Sequence, residues 1–468
     1  MELLAWLSHF QAGLMLFFGR ILGMAPAKAV LLLVIGIFEA GSLLCAVAPS
    51  VNVLIAGRVV AGVGASGLMV SVMFIIAKVT TLRQRPVFMG VFGAVYAIAS
   101  IVGPLIGGAF TDHVSWRWCF YINLPIGGVA FATILAALPP IQPSGIEGSQ
   151  VKTWLSLDWI GGLLSIGMVT LFLIPIQWGG NTKRWSDPEV ISLLVLSAVF
   201  FLAFLLWELR EGEAGILPLH MFRRRNMFGS CLEGFFINIC FILASYYLPF
   251  LYQLRGHSAT RSGIDLIPFM ISGTVAALIS GVCIAKLGHP WPFLFVGPLV
   301  AALGSGLLYT LNEFSSTGRI IGFQLILGIG LGVALQNTMV VVQAEFATEE
   351  ALLSRATSVV TFTQTLGASV GLAVAGAIFA GQLRHRLNHI PGVEVSALNA
   401  ALANVEAVFS FPPSVRTQVL AAYIHSVDTV FLFSVAAALL GSAACLVIGR
   451  SSIENLAQTH SSPGSADL

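Results

Sequence analysis

Thirteen stretches of about twenty residues, each apolar and nearly free of charge, follow one another along the chain: 5–22, 29–48, 53–77, 87–110, 116–137, 158–178, 189–207, 227–251, 263–285, 291–311, 319–342, 356–380 and 425–448. Twenty residues of α-helix reach about 30 Å, the hydrocarbon thickness of a bilayer. In that medium no water satisfies backbone N–H and C=O groups, so the viable spans are helices or a closed barrel. These spans are twice the length of a barrel strand and do not alternate, which selects helices. Charged residues are 9% and hydrophobic residues 57%, against about 25% and 45–50% in soluble domains. The fold class is an all-α polytopic membrane protein with about thirteen transmembrane helices.

Several function classes drop out on the same reading. The net charge of +2 gives no basic patch for nucleic acid. The six cysteines lie in or beside apolar spans, with no metal-site or disulfide spacing. No GxSxG, HExxH or P-loop pattern occurs. No enzyme, metal, cofactor or ATP-driven step is expected within this chain. The expected partners are the bilayer and a small molecule, and the chain is expected to act as a monomer.

Orientation follows from Lys and Arg in the short loops. Arg20, Lys28, Lys78, Arg83, Arg85, Lys152, Arg210, Arg223, Arg224, Arg225, Lys286, Arg355 and Arg450 fall in one set of alternate loops, thirteen in all. The other set holds six: Arg117, Lys183, Arg184, Arg255, Arg261 and Arg319. The first set is expected in the cytoplasm, with the C-terminus. An odd number of helices then leaves the N-terminus outside.

One span, GVFGAVYAIASIVGPLIGG (90–108), has five glycines, one proline and no charge. In a soluble helix interior Gly costs about 1 kcal/mol and Pro about 3 kcal/mol. In a membrane, glycines on a helix let a neighbouring helix approach closely. The sequence therefore predicts a tightly packed helix, kinked at Pro104, with neighbours seated against Gly103 and Gly107.

The spacing of this span resembles motif C of the major facilitator superfamily, which marks the fifth helix of its antiporters. Gly90 begins the motif, Ala99 stands where the family has a second glycine, and Gly103, Pro104, Gly107 and Gly108 end it. GRVVAGVGASG (57–67) resembles motif B, and SWRWCFYINLPIGG (115–128) resembles the fifth-to-sixth junction of the fourteen-helix drug:proton antiporter branch. YYLPFLYQLRGHSATRSGIDLIP (246–268) and FTQTLGASVGLAVAGAIF (362–379) resemble that branch's second half. Fungal toxin and multidrug exporters are the nearest likeness. Motif A is reduced to GRILGMAPAKAVLL (19–32), which keeps Gly19, Arg20 and Lys28 without the acidic residue and second arginine. The first span corresponds to the family's second helix, so a family first helix is expected to be missing here.

The resemblance implies two helical bundles rocking about a midplane site. The expected division is an N-terminal bundle over 1–137, an inserted helix pair with linkers over 138–226, and a C-terminal bundle over 227–449. The second bundle includes a long, partly helical external loop over 381–424. A disordered cytoplasmic tail is expected over 450–468.

Ionisable groups inside a bilayer cost about 2.5–3.5 kcal/mol on insertion scales, so each is a functional candidate. Glu39 lies near mid-span, and Arg58 sits about one helical turn deeper or shallower on the next helix, so a direct pair is open to them. By resemblance Arg58 faces the cavity and serves proton coupling. Glu233 reads either as a cavity carboxyl or as an interfacial group reaching water. Asp265 and Asp158, at helix starts, read as N-terminal caps or as charges facing the helix dipole. Gln336, Asn337, Gln364 and Tyr246 are candidates for the substrate cavity. Phe235, Phe236 and Tyr247 suit an apolar aromatic substrate or simple packing.

The expected activity is proton-coupled export of small amphipathic toxins, drugs or secondary metabolites, at the plasma membrane or the vacuolar membrane. The alternatives are a truncated non-transporting membrane protein, or the same fold carrying iron chelates or basic amino acids.

Overall fold

The computed structural model describes residues 2–142, 157–180, 183–312, 315–390 and 412–458, and every statement below refers to these. Lys152, residues 391–411 of the expected external loop and the last ten residues lie outside them. So does the side chain of Pro104.

The helices in chain order are α1 (Glu2–Leu22), α2 (Ala27–Ala46), α3 (Val51–Val79), α4 (Arg85–His113), α5 (Trp118–Tyr121) and α6 (Asn123–Ala137), then α7 (Trp159–Trp178) and α8 (Pro188–Glu211). The second half contains α9 (Arg225–Leu254), α10 (Ala259–Ile264), α11 (Ile267–Leu287), α12 (Trp291–Tyr309), α13 (Thr317–Ala334), α14 (Asn337–Glu345), α15 (Glu350–Leu387), α16 (Pro413–Cys445) and α17 (Ile453–Gln458). Eleven spans are long and apolar enough to cross a membrane, joined by two shorter apolar stretches, Gln11–Leu22 and Arg85–Ser100.

Local chemistry sets the helix ends. Asp158 and Asp187 cap α7 and α8 by accepting from Gly161 N at 2.7 Å and Glu189 N at 2.9 Å. Proline opens α4, α8, α11, α12 and α16, where its missing N–H costs nothing. Gly288 ends α11 at φ 74°, a left-handed conformation that favours glycine.

Three expectations need correction, and one gains detail. The span 319–342 is two helices, broken at Leu335 and Gln336, and the amide of Gln364 reaches the Leu335 carbonyl at 3.4 Å. The segment 381–424 is helical at both ends, α15 running to Leu387 and α16 starting at Pro413. The expected disordered tail begins with an ordered stretch: α17 docks with Ile453 buried, its N–H on the Gly288 carbonyl at 2.8 Å. Asp265 is not the N-cap of α11, whose cap position is Leu266; it ends α10 instead, with its side chain on His257 Nδ1 at 2.6 Å and Arg261 Nε at 3.4 Å.

Helices of the two halves meet along two seams. In one, α1 runs beside α15; in the other, α4 runs beside α11. Glycines make both seams close. A Cβ on Gly19 would collide with the Ser358 side chain on α15, and one on Gly23 would come within 3.1 Å of Ser354 Oγ. On the second seam, a Cβ on Gly90 would lie 3.0 Å from the Ala277 carbonyl oxygen, and one on Gly281 would strike the Pro86 carbonyl. Of the inserted pair, α7 packs against both α1 and α15, and α8 packs against α7.

Motif C is thus only half used for packing. A Cβ on Gly90 or Gly93 would be in close or ordinary contact across the seam, the one on Gly93 lying 3.6 Å from Gln336 Cγ. The expectation for Gly103 and Gly107 is overturned, because among the described residues nothing lies within 4 Å of a Cβ built on either. Gly108 has only Thr260 Oγ1, at 3.8 Å.

Candidate functional site

A narrow cleft of about 50 Å³ lies between α4 of the first half and α9, α11 and α13 of the second. Its wall is mostly apolar. Tyr96 stands 5.9 Å from Phe241, and Phe241 stands 6.3 Å from Phe269, centroid to centroid. The polar groups on its lining are Tyr96, Thr274 and Gln336. Gln336 is exposed to it because the backbone breaks there between α13 and α14. On the far wall, Gly273, Gly328 and Gly332 let α11 and α13 run backbone to backbone. An aromatic wall with few polar groups suits a small amphipathic ligand by its chemistry, and at this volume the cleft must widen to admit one.

Of the residues expected at the cavity, only Gln336 lines this cleft. Asn337 is buried and spent on structure, donating to Ser280 Oγ at 3.2 Å and the Val333 carbonyl at 2.5 Å. Gln364 bridges to Leu335 and to Thr338 Oγ1 at 3.4 Å. Tyr246 is half exposed beside Tyr247 and away from the cleft. Aromatic chemistry pointed to Tyr246, whereas Tyr96, in motif C, and Phe241 form the wall.

Glu233 lies on α9, eight residues before Phe241 and so about 12 Å along the helix axis from the cleft. It is 0% exposed, and neither carboxyl oxygen has a hydrogen-bond partner. The interfacial reading of Glu233 is therefore wrong. A buried carboxyl with no partner is costly as a charge.

Glu39 and Arg58 are not brought together. Glu39 is half-buried on α2, its carboxyl resting against Gly127 of α6, with Oε2 unpartnered. Arg58 lies with its guanidinium 5.9 Å from the Phe120 ring, and no ion pair joins the two among the described residues.

At the end carrying the basic loops, polar contacts tie the halves together. Arg85, read in the sequence only as a loop charge, is 6% exposed. Its guanidinium donates to the Gln343 carbonyl at 2.7 Å and the Ala77 carbonyl at 2.6 Å, while Gln343 Nε2 reaches the Met73 carbonyl at 3.1 Å. Lys78 pairs with Glu350 at 2.6 Å, and Arg83 with Glu454 of α17 at 2.6 Å. The hydrogen bond from exposed Arg83 holds the Glu454 carboxyl below its ordinary range. The motif A remnant is also placed: Arg20 reaches the Glu213 carbonyl at 3.4 Å, and Lys28 reaches the Leu135 carbonyl at the end of α6 at 2.8 Å. The basic end is closed in this conformation.

Helical halves meeting along two glycine seams, closed at one end and holding an apolar cleft between them, define a polytopic membrane transporter. The chain belongs to the Major Facilitator Superfamily, which it matches over residues 3–372. It is 35% identical over 447 residues to the MFS-type transporter phomT of Diaporthe leptostromiformis, covering 94% of this chain and 75% of that one. It is 37% identical over 434 residues to the efflux pump bfoC of Aspergillus brasiliensis, covering 92% and 76%. Among solved structures, the human organic anion transporter MFSD10 shares the fold at a TM-score of 0.59 and 14% identity, covering 93% of this chain and 83% of that one. The proton:xylose symporter XylE does so at 0.55 and 14%, covering 97% and 87%.

Proposed function

We propose that this chain exports small amphipathic metabolites, toxins or drugs across the plasma membrane, exchanging them for protons that enter the cell. Export is supported by relatives named as efflux pumps. The single observation that carries the proton step is Glu233, fully buried with both oxygens unpartnered, on the helix that also supplies Phe241 to the cleft. Such a carboxyl is a natural place to take up and surrender a proton as access alternates. The end closed by Arg85, Lys78 and Arg83 is the cytoplasmic one on the positive-inside rule.

Glu39 is kept as a second carboxyl that could exchange a proton, and Arg58 as a cation acting apart from it. The amphipathic cargo is favoured over basic amino acids because no carboxylate lines the described cleft. Tyr96, Phe241 and Phe269 offer ring faces, and Gln336 one amide. The test is efflux of a fluorescent amphipathic dye from vesicles bearing Glu233→Gln. Dye efflux indifferent to an imposed pH step, with dye binding retained, is the expected result; a full response to the step moves the proton site elsewhere.

A further inference from the structure

At the basic end of the inserted pair α7–α8 two carboxyl groups face each other. Asp158 begins α7 and is 8% exposed; Glu208 lies in the last turn of α8 and is 1% exposed. Each has one oxygen fully accounted for. Asp158 Oδ1 accepts from Gly161 N at 2.7 Å and from Trp207 Nε1 at 2.8 Å. Glu208 Oε2 accepts from Leu217 N at 2.9 Å. Capping explains the first, and clasping of the linker 212–218 explains the second.

Neither role explains the remaining oxygens. Asp158 Oδ2 and Glu208 Oε1 are both buried and both without a partner. They also converge on one place, because a Cβ built on Gly161 would touch both of them, Glu208 Oε1 at 2.9 Å. Two acceptors cannot satisfy each other, and two ionised carboxylates facing in a buried site repel.

The surrounding charges do not resolve this. Arg20, from α1, lies within electrostatic range of Asp158, Glu213 and Glu208 but forms an ion pair with none of them, and its Nε is itself unpartnered. Its Nη1 is directed to the Glu213 carbonyl, which Arg355 of α15 also takes, at 2.9 Å. His220 pairs with the Glu213 side chain at 3.4 Å, and Arg210 lies over the Trp207 ring at 5.7 Å.

We propose that Asp158 and Glu208 are a proton-binding pair that holds one proton between Oδ2 and Oε1. A single proton turns two orphan acceptors into one charge-assisted O–H···O bond and leaves one negative charge for Arg20 to face. The bond fastens the start of α7 to the end of α8. Through Glu208 it also fastens the linker, whose Glu213 carbonyl receives an arginine from each half of the molecule. Loss of the proton frees Glu208 from Asp158 and loosens that linker. The site stands apart from the cleft and from Glu233, and it holds whether or not the chain exports anything.

The test uses the full chain in detergent micelles. Glu208→Gln keeps an acceptor for Leu217 N and offers its amide to Asp158 Oδ2, so it mimics the proton-bearing pair permanently. Infrared spectra at neutral pH should show one protonated-carboxyl band in the wild type that Glu208→Gln removes, the contribution of Glu233 being common to both. Because the unfolded carboxyls release their protons at about pH 4 and the folded pair keeps one, wild-type Tm falls as pH rises from about 4 and levels off once the folded pair has given its proton up. Glu208→Gln should reduce that fall, whereas Glu208→Ala lowers Tm at every pH. Asp158→Asn, which keeps the Oδ1 cap, should behave as Glu208→Gln does. Unchanged protonated-carboxyl intensity in both amide variants, with the wild-type pH dependence of Tm intact, would overturn the proposal.

Discussion

Gly281→Ala isolates what the α4–α11 seam demands. The new Cβ would strike the Pro86 carbonyl oxygen and lie 3.0 Å from Pro86 C and 3.3 Å from Val87 Cα, all of them backbone atoms that cannot rotate away. Alanine gains about 1 kcal/mol over glycine in a helix interior. Overpacking that shifts a backbone costs about 1–3 kcal/mol. The net expectation is destabilisation of up to about 2 kcal/mol. Gly103→Ala is the control. Nothing described lies within 4 Å of its Cβ, so it keeps the propensity gain and stabilises by up to about 1 kcal/mol. Thermal unfolding of the purified chain in detergent, followed by tryptophan fluorescence, reads both. Dye efflux from the same preparations should fall in Gly281→Ala and hold in Gly103→Ala. If both variants shift stability in the same direction, the close-approach account of this seam is wrong.

Three further outcomes follow from the same geometry. Arg85→Met leaves the Gln343 and Ala77 carbonyls without their charged donor, which should cost about 1.5–3 kcal/mol in thermal unfolding. Tyr96→Ala and Gln336→Ala should raise the KM for an aromatic dye more than they lower maximal efflux, since both line the cleft without touching Glu233; an unchanged KM in both would remove the cleft as the binding place. The docking of α17 should weaken at acid pH: the Glu454 carboxyl is held low by Arg83, so its contribution is present above the ordinary carboxylate range and is lost as pH falls through the lowered value. Hydrogen exchange of residues 453–458 against pH measures this, and Glu454→Gln should show the faster exchange at neutral pH as well.

Periodicity and charge made the helices legible, because a bilayer gives a chain few choices: each of the thirteen apolar stretches corresponds to a helix or a broken helix. Breaks and contacts were harder. Nothing in the composition of 319–342 announces a turn at Gln336, since its hydropathy is continuous across the break. The glycines of motif C look equivalent in sequence, yet only a second helix at packing distance distinguishes Gly90 from Gly103. Glu233 was visible as a charge in an apolar run, but its lack of any partner depends on helices far away in sequence. Asp158 was read correctly as a cap through its Oδ1, while its second oxygen has meaning only beside Glu208, fifty residues on. Arg85 and Glu208 fell outside the candidates because each sits at a span end, where a charge ordinarily reaches water.

The proton-driven export account meets its most direct test in proteoliposomes carrying the wild-type chain and Glu233→Gln side by side. An amphipathic dye is loaded on both sides, a pH step is imposed across the membrane, and transmembrane dye flux is recorded without any nucleotide present. The account predicts net dye movement against its gradient in the wild type, collapsing when a protonophore dissipates the step and absent in Glu233→Gln. Gradient-driven flux of equal size in both preparations would contradict the assignment of Glu233, and wild-type flux that ignores the pH step would contradict proton-coupled export itself.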